Sequence, residues 1–165
     1  MFNLTLAILI TSSLLLLSFY AVLQRKHQQE QRKRQAQYAD RINNIKSAYK
    51  TTLELYSAQR VIRPSSINQF YNIINNFFVD QPVNEHNVNK LETLANAIAI
   101  TIAREFNLTR SDEDIEWLKK KLLNFAIKLP NNGNGYTASF YHRKLKMLIN
   151  GLNATRASFV QKHAA

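Results

Sequence analysis

The chain has 165 residues, enough for one modest domain and an accessory segment but not for a large multidomain enzyme. It contains no cysteine, which removes disulfide frameworks, thiol nucleophiles and cysteine-ligated metals, and only three glycines and three prolines, too few for turn-rich β architecture. Lys and Arg outnumber Asp and Glu by 22 to 11, so any anionic surface is a natural neighbour.

Residues 2 to 23 carry no charged side chain. At about 1.5 Å per helical residue this stretch crosses a hydrocarbon core of roughly 30 Å, and residues 1–23 therefore read as a single transmembrane anchor. A cleaved secretory signal fits less well, because no basic segment precedes the apolar run and no A-x-A pattern follows it. Immediately afterwards come Arg25, Lys26, Arg32, Lys33 and Arg34, with Glu30 the only carboxylate among them. Cations on one flank alone place the N-terminus outside and the C-terminal domain in the cytosol, at an inner or plasma membrane. The same five residues face the anionic headgroups of that leaflet, the lipid partner expected for this segment. The next most apolar stretch, 94–103, is too short to span and suits a buried core helix.

Residues 24–63 form the second segment, a basic stalk helix. Tyr38, Ile42, Ile45, Tyr49, Leu53 and Tyr56 recur at steps of three and four, an amphipathic stripe that something must cover. Arg63-Pro64-Ser65-Ser66 should stop this helix, with either serine capping the next. If the stripe stands clear of the rest of the chain, Ile42, Ile45 and Tyr49 are contacts for a partner helix or for weak self-association.

Residues 64–165 form the third segment, a soluble bundle of about four helices, which makes the fold class all-α. The expected helices are 67–79, 87–106, 111–129 and one beginning near 137. Ser111 is placed to cap the third of these, with Asp112, Glu113 and Asp114 in the first turn, where the helix dipole favours carboxylates. Pro130 and the run Asn131-Asn132-Gly133-Asn134-Gly135 mark the clearest loop. The expected core is Phe70, Ile74, Phe77, Leu94, Ile98, Ile102, Leu118, Leu122, Phe125, Leu145 and Leu148.

No pattern of residues suggests catalysis. His27, His86, His142 and His163 are scattered without metal-ligand spacing, and Asp112, Glu113, Asp114 and Glu116 are explained by a helix N-terminus. The expectation is therefore a non-enzymatic protein with no catalytic residue, no metal, no cofactor and no small-molecule substrate. Charge is the informative signal: residues 24–63 hold ten cations and three acids, 64–135 seven and eight, and 136–165 five and none. In the last segment Arg143, Lys144, Lys146 and Arg156 lie near Tyr136, Phe140 and His142, a mixture of cations and rings that suits phosphate contact and stacking. Trp117 lies away from the apolar face of its helix, a second candidate for partner contact.

Three functions follow from this reading. The leading one is a single-pass membrane protein whose cytosolic helical domain binds or scaffolds a protein partner. The next is a membrane-tethered nucleic-acid binder acting through the basic last helix. In layout alone, an N-terminal anchor followed by a polar helical part, the chain resembles the inner-membrane spanin subunits of phage lysis. That resemblance implies an envelope or lysis accessory with its domain outside, opposite to the side chosen by the basic flank.

Overall fold

The computed structural model describes the backbone of residues 2–152 and the side chains of residues 15–152. It contains α1 (Phe2–Ala58), α2 (Pro64–Asn75), α3 (Glu85–Asn107) and α4 (Asp112–Ile127). A 3-10 turn, Gly133–Gly135, then leads into a last helix, α5 (138–152), whose segment Phe140–Lys144 is a π-helix. Among the described residues there is no strand, so the fold is an all-α helical bundle. No helix among them is long and apolar enough to cross a membrane. The structure thus carries the all-α part of the expectation and not its transmembrane part; residues 2–14 of the expected anchor lie outside the described side chains.

The chain divides into two compact units, Met1–Asp40 and Arg41–Ala165. In the first, Arg25, Lys26, Arg32, Lys33 and Arg34 are helical and exposed, and His27 and Gln31 contact one another one turn apart at 3.0 Å.

In the second unit the closing turns of α1 belong to the core. Ile42, Tyr49 and Leu53 are buried, followed by Val61 and Ile62 from the turn beyond. α1 stops before the expected Pro64: Arg60 takes a left-handed conformation at φ 61°, and the Val61 and Ile62 amides bond back to the Tyr56 carbonyl at 2.9 and 3.2 Å. This is the usual way a helix ends, with arginine where glycine is commonest. Neither Ser65 nor Ser66 caps α2; Arg63 holds the N-cap position without a side-chain bond, and Pro64 opens the helix, where its missing amide costs nothing.

The other helix starts follow side-chain chemistry. Asn84 accepts from the Asn87 amide at 2.9 Å to begin α3. Ser111 accepts from the Asp114 amide while Asp114 accepts from the Ser111 amide, each at 3.2 Å, a complete capping box that begins α4 where expected. Asp80, in the connection between α2 and α3, accepts from the Ala138 amide at 3.1 Å and so caps α5 from a distance.

Of the expected core, Phe70, Ile74, Phe77, Ile98, Ile102, Leu118, Leu122, Phe125 and Leu145 are buried; Leu94 and Leu148 are only half-buried. Phe70 of α2 stacks on Phe125 of α4 at 5.3 Å between ring centres, and Phe77 meets Tyr141 of α5 edge-on at 5.0 Å. Arg41 pairs with Glu92 to join α1 to α3, and Lys46 donates to the Asn75 carbonyl and side chain at 3.3 and 3.1 Å to join α1 to α2. Partial burial at this position pulls the Lys46 amine below its usual range.

Candidate functional site

The residues that make a surface worth examining converge on α5. Its sequence places Phe140 and Leu145 five apart, a spacing that an α-helix would send to different faces; the π-segment widens the turn, so that the Leu145 amide reaches the Phe140 carbonyl and both side chains are buried. Arg143, Lys144 and Lys146 are left exposed. Arg156, grouped with them by sequence, lies outside the described residues.

Of the rings named with these cations, Tyr136 and Phe140 turn inward and His142 stays exposed. Tyr136 and Phe140 are buried, with ring centres 5.2 Å apart, and the Tyr136 hydroxyl donates to the Pro130 carbonyl at 3.2 Å. Tyr141 is half-buried and donates to the Ile73 carbonyl at 2.7 Å. Burial pushes the Tyr136 phenol up to about 12 and raises that of Tyr141 as well. Tyr136, Phe140 and Tyr141 are thus structural rings and offer no open stacking platform.

A groove of about 430 Å³ separates α4 from α5. Trp117, Phe125 and Leu148 line it beside Lys120, Lys121 and Lys128, with Met147 on its lip, 73% exposed. Trp117 is half-buried, and the Lys121 amine sits 4.5 Å from the centre of its ring, which accounts for a tryptophan set off the apolar face of its helix. The same amine pairs at 3.1 Å with Glu105 of α3, whose side chain is only 3% exposed. Arg104 is 3.5 Å from the other carboxylate oxygen. Trp117 and Lys121 are therefore built into a buried polar link between α3 and α4.

A second groove, about 510 Å³, runs between α3 and α5. Its apolar surface comes from Leu94, Ala97, Leu145 and Ile149, and Lys90, Lys146 and His86 stand around it. Lys90 and Lys146 are exposed and make no ion pair among the described residues. Sequence reasoning singled out Lys146 and missed Lys90, Leu94 and Ile149 as a group, because helix periodicity reports which residues share a face and not which two helices meet.

Ile42 and Tyr49 are buried inside the second unit and Ile45 is half-buried beside Ala48, Ala95 and Glu92, so this part of the stripe is occupied by the chain's own α3. Among the described residues the Tyr49 hydroxyl has no hydrogen-bond partner, and burial raises its phenol well above the ordinary tyrosine range. Among the described residues no group of three or more His, Asp or Glu could hold a metal ion. Compared with known proteins, the chain matches no family model, no curated protein and no solved structure.

Proposed function

We propose that the chain is a single-pass membrane protein, non-enzymatic, whose cytosolic helical domain binds a protein partner. The observation that carries partner binding is the α3–α5 groove: half-buried Leu94 and Ile149 expose aliphatic surface in a concave setting, whereas in the α4–α5 groove Trp117 and Lys121 are already engaged with one another and, through Lys121, with Glu105. The anchor is supported by the sequence alone, through the charge-free residues 2–23 and the five cations after them. Protein is favoured over nucleic acid because Tyr136 and Phe140 are internal and the Tyr141 hydroxyl is tied to α2, which leaves the exposed His142 imidazole as the ring beside Arg143, Lys144 and Lys146 that a base could meet.

Two measurements test this reading. C-terminal fusions to a reporter active only in the cytosol and to one active only outside should give signal from the first, with the protein resisting alkaline extraction from membranes; the reverse pattern favours the envelope accessory. A photo-crosslinking residue at Ile149 in the full chain, in its own membranes, should yield a discrete protein adduct that a crosslinker at the exposed Lys50 does not. Equal, diffuse labelling from both positions would remove the groove as a binding site.

A further inference from the structure

We infer that the α3–α5 groove takes an acidic amphipathic helix of the partner protein. This rests on the partner-binding reading above and specifies the chemistry of the partner. The first argument is charge. Six of the nine carboxylates of this domain are committed elsewhere, Glu54 to Lys50, Glu92 to Arg41, Glu105 to Lys121, Glu116 to Lys119, Asp114 to the cap of α4 and Asp80 to the start of α5, and Glu85, Asp112 and Glu113 sit in the first turns of α3 and α4. None of them lines this groove, whose two sides carry Lys90 from α3 and Lys146 from α5, neither of them in an ion pair among the described residues. Arg143 and Lys144, also exposed, extend the positive field along α5, and residues 136–165 contain no acid that could balance it. An anionic occupant is attracted by the lysine on each side and meets no carboxylate in the lining itself.

The second argument is the floor. Half-buried Leu94 and Ile149 flank the already buried Leu145, and their exposed aliphatic surface recovers free energy by being covered with other apolar side chains, which phosphate and sugar do not supply. The third is the backbone. Both walls are helices whose amides and carbonyls are bonded internally, so an extended peptide would find no ladder to join, whereas a helix arrives with its own bonds satisfied. Leu or Ile at every third or fourth position would meet the floor, and Glu or Asp on the flanks would meet Lys90 and Lys146.

The test uses the full chain in nanodiscs of zwitterionic lipid at about 150 mM salt. The probe is a fluorescent amphipathic helical peptide of about 18 residues with leucines on one face and glutamates on the flanks; a second probe replaces every glutamate with lysine. The Glu probe should bind at least about tenfold tighter than the Lys probe. The double change Lys90→Glu with Lys146→Glu should weaken the Glu probe by about tenfold and reverse the preference, and the charge-matched pair Lys120→Glu with Lys128→Glu in the other groove should change it by no more than about threefold. All four positions are at the surface, and circular dichroism confirms the fold of each variant. Equal affinity for both probes overturns the inference, as does binding of the Glu probe that ignores Lys90 and Lys146. So does a single-stranded oligonucleotide, an anionic vesicle or a second copy of the chain that occupies the same residues in preference to the Glu probe. If the Ile149 crosslinker captures a discrete partner while the Glu probe fails, partner binding stands and the acidic chemistry falls.

Discussion

Local chemistry decides how well single residues could be read. Ser111 was legible because a cap needs only a short polar side chain before three acids, and both halves of its exchange with Asp114 are present. Ser111→Ala should lower the stability of the domain by about 1 kcal/mol, seen as a lower midpoint in thermal unfolding followed at 222 nm. Arg60 was not legible, since nothing in its sequence marks a left-handed residue and the nearest visible stop was Pro64, four residues on. Tyr49 shows a different limit. Periodicity placed it on the stripe, and its ring is buried there, yet among the described residues its hydroxyl has no partner. An unsatisfied buried hydroxyl costs about 1–3 kcal/mol, so Tyr49→Phe should leave stability unchanged or raise it, whereas Tyr49→Ala should cost about 3 kcal/mol or more through the cavity. Chemical denaturation of the two variants side by side checks the sign.

At the scale of elements, the existence of each helix followed from spacing of three and four, while the places where geometry departs from the ideal helix did not. α5 is the clearest case: reading it as a regular helix puts Tyr141 at the centre of the apolar face, but the π-segment brings Phe140 and Leu145 inward and leaves Tyr141 half-buried, tied by its hydroxyl to α2. The approach to α5 is equally specific. Asn132 accepts from the Gly135 amide at 3.1 Å, and a Cβ on Gly135 would stand 2.5 Å from the Pro130 Cβ, closer than two carbons can sit. Gly133 has ordinary room, with its nearest neighbour, the Asn76 amide oxygen, at 3.6 Å. Gly135→Ala should therefore cost about 1–3 kcal/mol by forcing the Pro130–Tyr136 turn apart, and Gly133→Ala should stay within about 0.5 kcal/mol. Urea unfolding midpoints separate the two. The Asn-Gly run announced a loop; which of its glycines is pinned depends on the proline that folds back over it.

For the whole molecule, two consequences follow from which residues share the core. Tyr136 and Tyr141 lie together around α5, with Tyr49 buried on α1, and burial raises all three phenols. Because the folded state favours the neutral form, its advantage is intact below the ordinary value of 10.0 and is lost as pH rises through about 12, where Tyr136 ionises. Alkaline titration at 295 nm should show these tyrosines ionising late and together with loss of helix; full ionisation with helix content intact would contradict their burial. The second consequence concerns where the domain begins. Charge and the proline suggested a boundary near 63, but Ile42, Tyr49, Leu53, Val61 and Ile62 are core residues, and the compact unit starts at Arg41. No sequence pattern distinguishes a stripe that seeks a partner from one that is covered by its own chain, since both need the same spacing. A fragment of residues 41–165 should fold cooperatively. One of residues 64–165 lacks five buried apolar side chains and exposes the surfaces of α2 and α3 that they cover, at a cost of about 1.5–3 kcal/mol for each side chain. Against a total stability of about 5–15 kcal/mol that loss is decisive, so the shorter fragment should show no cooperative thermal transition and should aggregate or bind a hydrophobic dye. Cooperative unfolding of both fragments at similar midpoints would return the stripe to the surface, and with it the coupling of helix pairing to partner binding.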